Sequence, residues 1–95
     1  MHRDHPVTDF RAVVTPDAQF IDVREPDEVA DGSLPGTVNI PLATLPDRVG
    51  DLDASRRAVV LCRSGGRSTQ AAEYLVASGF TDVINLDGGM LAYDS

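Results

Sequence analysis

The stretch "AVVL", Ala58 to Leu61, is apolar at every position and rich in β-formers, and it runs directly into "CRSGGRST". A strand with one wet face alternates apolar and polar residues, so unbroken apolarity marks a strand buried on both faces, as in the middle of a parallel sheet. Parallel neighbours are joined by crossovers, usually helices. The sequence around Ala58 to Leu61 must therefore alternate strands with helices, and it does.

"FIDV", Phe20 to Val23, reads as a short strand. In "REPDEVADG" after it, Pro26 suits the first position of a brief helix, Asp27 and Glu28 suit its positive end, and Gly32 suits its C-cap. "GTVNIPL" gives another strand, ending at Pro41, and Leu42, Leu45, Val49 and Leu52 follow at helix-like spacing that Pro46 interrupts. "STQAAEYLVAS", Ser68 to Ser78, sets Ala71, Ala72, Leu75 and Val76 on one helical face, with Gly79 as cap. "FTDVINL" supplies a further strand, and "DGGMLAY" turns into a last short helix. The pattern predicts an α/β domain with a mainly parallel sheet. Upstream, Thr8 to Val14 is expected to form a short helix capped by Thr8 before the turn residues of "TPDAQ". Residues 1–6 are expected to be a mobile arm and 7–95 a single domain. His2 and His5 lack a third ligand at suitable spacing, so no metal site is assigned to them.

Composition narrows the function classes. A chain of 95 residues, 42% hydrophobic and without Trp, has room for one core, built from Val, Leu, Ile and Ala. No apolar run approaches the roughly 18 residues of a membrane span, and "MHRDHPVTDF" lacks the apolar region of a secretory signal. A cytoplasmic protein is expected. A net charge of -7 argues against nucleic acid or an anionic membrane as partner, so any anion site must be local.

One cysteine excludes an internal disulfide and leaves its thiol as packing or as chemistry. Cys62 stands where the buried strand ends and a helix begins, the end of the sheet at which open α/β folds bind ligands. Between them lie Arg63, Ser64, Gly65, Gly66 and Arg67, with Ser68 opening the helix. Adjacent glycines let successive N–H groups turn inward as an anion-binding nest, and the helix N-terminus adds positive potential. A thiol in that cradle is expected to ionise more readily than usual. A buried strand-end cysteine is ordinarily core, but a core position requires neither a Gly-Gly pair nor flanking arginines.

"CRSGGRS" resembles the active-site loop of the rhodanese (sulfurtransferase) family; Ile21 to Leu42 is similar to that family's upstream signature, and "VINLDGGMLAY" to its closing segment. The resemblance implies a three-layer α/β domain with a five-stranded, mainly parallel sheet flanked by helices, and a catalytic cysteine that carries sulfur as a persulfide. On this matching Cys62 is the nucleophile. Arg63, Ser64, Gly65, Gly66, Arg67 and Ser68 hold the substrate anion, and Asp22 and Arg24 support the loop. Both supporting residues have plainer readings: Asp22 as a turn cap, Arg24 as a surface charge paired with Glu25 or Glu28. The chain departs from the family at Ser33, where His is usual, and at Tyr93, where Trp is usual. Family members commonly continue past the closing helix, so an end at Ser95 is expected to leave that helix less anchored or completed by another chain.

The implied activity is transfer of sulfane sulfur from thiosulfate or a similar small anionic donor, through a Cys62 persulfide, to cyanide or a thiol. The acceptor must be external, small or on a partner protein, because no second cysteine is present. No metal or organic cofactor is implied. A non-catalytic partner-binding module is one alternative. The other is a Cys-dependent phosphatase or arsenate reductase, against which the four residues between Cys62 and Arg67 count, one fewer than such phosphatases have.

Overall fold

The computed structural model describes residues 1–94. Among them, strands β1 (Arg3–Pro6), β2 (Gln19–Asp22), β3 (Val38–Asn39), β4 (Ala58–Leu61) and β5 (Val83–Asp87) form one sheet in the order β1-β5-β4-β2-β3. All its pairings are parallel. Strand β4 is central, and each of its residues is fully buried. Its side chains alternate between two cores, as the two-residue period of a strand requires. Ala58 and Val60 pack with Ile21, Ala71, Ala72, Leu75 and Phe80 on one face. Val59 and Leu61 pack with Phe10, Phe20, Ile84 and Leu86 on the other. Each large aliphatic side chain so buried contributes about 1.5–3 kcal/mol, which makes this strand the rigid base for whatever its end carries.

Helix α3 (Gly66–Ala77) covers the first face together with α2 (Leu45–Arg48), and the 3-10 segment Val7–Ala12 packs with α4 (Gly89–Asp94) on the second. The expected three-layer α/β architecture is thus present. Helix α3 starts two residues before the predicted Ser68 and ends in a Schellman arrangement: Gly79, at φ 99°, and Phe80 donate to the carbonyls of Val76 and Leu75. Helix α1 (Pro26–Ala30) buries no residue fully and lies at the rim. No helix among the described residues is long and apolar enough to cross a membrane.

Three expectations need correction. The mobile arm assigned to residues 1–6 is instead largely β1, paired with β5 from Arg3 opposite Ile84 to Pro6 opposite Asp87. A polar strand of this kind is stable at a sheet edge, where one side faces water and charges discourage further pairing. Arg3 also reaches Asp82, and Asn85 donates to Asp4. The helix placed at Thr8 to Val14 is a 3-10 segment that follows Pro6 and kinks at Asp9, without a Thr8 cap. Pro46 does not interrupt Leu42 to Leu52 as expected; it occupies the first turn of α2, where its missing N–H has no partner to lose. That stretch is broken instead into 3-10 turns at Leu42–Thr44 and Val49–Asp51. The chain end at Ser95 lies outside the described residues.

Candidate active site

Strand β2 leads to β3 on one side of the sheet and β4 leads to β5 on the other, so the carboxyl ends of β2 and β4 flank the point where strand order reverses. Ligand crevices form at such points because the departing connections leave in opposite directions. Asp22 and Leu61 are paired across this gap. Arg24 follows one and Cys62 the other. The fold therefore brings together two parts of the sequence that stand almost forty residues apart.

Cys62 is 1% exposed, as a core cysteine would be, yet its sulfur is solvated by the loop. Gly65 N–H donates to Sγ at 3.0 Å, and Ser68 Oγ lies 3.3 Å away. Gly65 adopts φ 107°, a conformation that favours glycine. Gly66 has no comparable demand, since a Cβ there would meet nothing within 4 Å. Burial opposes ionisation of the thiol. Hydrogen bonding by the Ser68 hydroxyl and by the N–H groups of Ser68, Gly65 and Ser64 outweighs it and leaves the Cys62 pKa below its ordinary value.

Ser68 can stabilise either charge state. With the thiol protonated, Sγ donates to Ser68 Oγ, which donates to the Gly65 carbonyl at 3.2 Å. On ionisation the Ser68 proton turns to sulfur, and the Gly65 carbonyl keeps the N–H of Thr69 at 3.0 Å and its Oγ1 at 2.7 Å. The loop backbone loses no essential bond. The arrangement eases ionisation of the thiol without breaking the loop.

The arginines divide. Arg63 is exposed and has no ion-pair partner among the described residues. Arg67 does not point to the sulfur; its guanidinium forms a bidentate pair with Glu28, at 2.6 and 2.8 Å. Glu28 also accepts the Glu25 N–H that caps α1, and the paired guanidinium holds its carboxyl at about 2. Arg24, 6% exposed, grips the fully buried Asp22 through Nε and Nη2, at 2.8 to 3.2 Å. The plainer reading of Asp22 holds alongside this pairing, since its Oδ1 also accepts the Arg24 N–H at 3.0 Å and so caps the turn, whereas Arg24 is no surface charge and meets Glu28 only at its carbonyl. Ser33, in the place where His was expected, donates to Asp22 at 2.7 Å. Tyr93 packs edge-on against Phe10.

Two contributors escaped sequence reasoning. Glu28 was read as a helix-start acid and a partner for Arg24; nothing in its spacing pointed to Arg67. Gly88 and Gly89 were noted only as part of a closing segment. Gly89, at φ 58°, lies against the chain at Cys62, and the next two N–H groups, of Met90 and Leu91, hold the carbonyls of Cys62 and Arg63 at 2.9 Å. A recess of about 330 Å³ opens beside the loop, lined by Arg24, Glu28 and Asp31, by Met90, Leu91 and Asp94 of α4, and by Arg63.

An all-parallel α/β sheet with a thiol cradled in N–H groups at its switch point defines a class of domain rather than one protein. The family model for the rhodanese-like domain matches residues 9–95, and the chain belongs to that family. It is 39% identical over 83 residues to a sulfurtransferase of Allochromatium vinosum, covering 87% of this chain and 78% of that protein. It is 38% identical over 72 residues to the thiosulfate sulfurtransferase GlpE of Stutzerimonas stutzeri, covering 76% of this chain and 66% of that one. The crystal structure of a rhodanese-like domain protein from Staphylococcus aureus superimposes with a TM-score of 0.85 at 30% identity, over 96% of this chain and 90% of that one.

Proposed function

We propose that the protein is a sulfurtransferase that carries sulfane sulfur on Cys62. The observation that carries this reading is the pairing of the Cys62 sulfur with Gly65 N–H and Ser68 Oγ inside a loop that favours the thiolate. In the first half-reaction the thiolate attacks the outer sulfur of thiosulfate or a similar donor. The S–S bond of the donor breaks with its electron pair leaving on sulfite, and a new bond joins Cys62 to the transferred sulfur. The terminal sulfur, now anionic, takes the place of the thiolate as acceptor of the inward N–H groups. In the second half-reaction cyanide or an external thiol removes it. Names borne by the relatives, sulfurtransferase and thiosulfate sulfurtransferase, support the same class of reaction.

Roles follow from placement. Cys62 is the nucleophile; Ser64, Gly65 and Ser68 supply hydrogen bonds to its sulfur, Gly66 opens the helix without crowding it, and Arg63 attracts the donor. Arg67 acts through Glu28, tying the loop to α1, and the Asp22–Arg24 pair fixes the neighbouring strand end. A partner bearing a reduced thiol, small or on a protein, completes turnover, because the sequence offers no second cysteine. A reactive thiol without a disulfide partner suits the reducing cytoplasm. Formation of thiocyanate from thiosulfate and cyanide tests the proposal: wild-type protein is expected to turn over and Cys62→Ser to be inactive, whereas activity retained in the variant would overturn it.

A further inference from the structure

The cations around the loop set the charge that a donor can carry. The following inference rests on the sulfur-transfer reading of Cys62. Arg67 is committed to Glu28, and Arg24 to Asp22 and to the Gly32 carbonyl at 2.7 Å. Among the described residues only Arg63 then faces the recess as an unpaired cation. Opposing it are the exposed carboxylates of Asp31 and Asp94, neither paired with a cation among the described residues. Met90 and Leu91 give the same recess an apolar wall, and Leu91 is about half exposed.

A thiosulfate dianion entering here meets one free guanidinium and two free carboxylates, on a chain whose net charge is -7. It also leaves the apolar wall uncovered. An organic hydropersulfide, R–S–SH, carries at most one negative charge at its sulfur and can lay an aliphatic body along Met90 and Leu91. We infer that the recess between α1 and α4 is the donor port, and that its acidic rim and apolar wall select organic persulfides over thiosulfate, with Glu28 and Asp94 as specificity determinants. The step balances without an added reductant or oxidant. Cys62 thiolate attacks the outer sulfur of R–S–SH, the S–S bond of the donor breaks with its electron pair on R–S⁻, and the terminal sulfur keeps its proton as Cys62–S–SH.

Single-turnover charging of Cys62, followed by intact mass, gives a rate constant for each donor. The probes are thiosulfate and the persulfide of 2-mercaptoethanol, whose carrier is uncharged. Glu28→Gln keeps an acceptor for the Glu25 N–H at a position where Gln also serves in a capping box, and it releases the charge of Arg67. Asp94→Asn removes a rim carboxylate from an exposed position. Each substitution is expected to move the ratio of the two rate constants about 2- to 5-fold towards thiosulfate, the range that a partly solvated charge supplies. If Cys62 gains sulfur from both donors but the ratio stays fixed in both variants, the port assignment fails and the sulfur-transfer reading stands. If neither donor charges wild-type Cys62, the reading fails and takes the port with it.

Discussion

Gly89 and Cys62 touch through backbone alone: a Cβ built on Gly89 would lie 2.5 Å from the Cys62 carbonyl oxygen and equally close to the carbonyl of Arg63. The closing segment thus acts as a backboard for the loop. Met90 and Leu91 N–H groups, each 2.9 Å from one of those carbonyls, fix the direction in which the loop leaves β4. The placement of Cys62 and its loop depends on this main-chain contact some thirty residues downstream.

Gly89→Ala is therefore expected to damage both stability and chemistry. The substitution strains a φ of 58° and drives the new methyl into the loop, a loss of about 2 kcal/mol or more in denaturant unfolding. Displacement of the loop by even an ångström is expected to slow sulfur loading by up to about 100-fold. Gly36→Ala is the control, since Gly36 has φ 86° with nothing within 4 Å of a Cβ. It carries the strain without the collision. Equal losses in the two variants would show that the contact with Cys62 is unimportant.

Ser68→Ala removes the only side chain bonded to the Cys62 sulfur among the described residues. Because that hydroxyl and the loop N–H groups depress the thiol pKa against the opposing effect of burial, its loss raises the pKa. The pH profile of iodoacetamide alkylation is expected to shift to higher pH in the variant. At neutral pH the rate of charging should fall about tenfold, the worth of one hydrogen bond to an anion. An unshifted profile would mean that backbone donors alone hold the thiolate.

Acid stability reports on Glu28 and Arg67. The carboxyl of Glu28 titrates at about 2 in the folded protein against 4.5 ordinarily, so the folded state binds its proton more weakly than the unfolded chain does. Its contribution is complete above 4.5 and is lost as pH falls towards 2. Unfolding free energy followed across that window is expected to drop less steeply in Glu28→Gln than in wild type. Parallel slopes would show that the pair contributes nothing to folding.

Much of this was legible in the sequence because it depends on local pattern. Ala58 to Leu61 announced a central strand through unbroken apolarity, and Cys62 stood at the end of it, where a parallel sheet exposes its ligand-binding edge. The amphipathic run into Gly79 gave α3. What resisted reading was non-local or ambiguous in type. Residues 3 to 6 look like a solvated tail, and only their pairing with β5 makes them a strand. Asp22 and Arg24 are two residues apart, yet their burial as a pair follows from the crowding of β2 between β3 and β4. Arg67 was expected to face the anion site. Its capture by Glu28 depends on where α1 packs, which no spacing encodes.

The central claim is that Cys62 carries sulfur, and intact mass before and after incubation with a sulfane donor tests it most directly. A gain of about 32 Da, reversed by cyanide and absent from Cys62→Ser, is the predicted result. A wild-type protein that alkylates readily at Cys62 but gains no mass from thiosulfate or from an organic persulfide would contradict it.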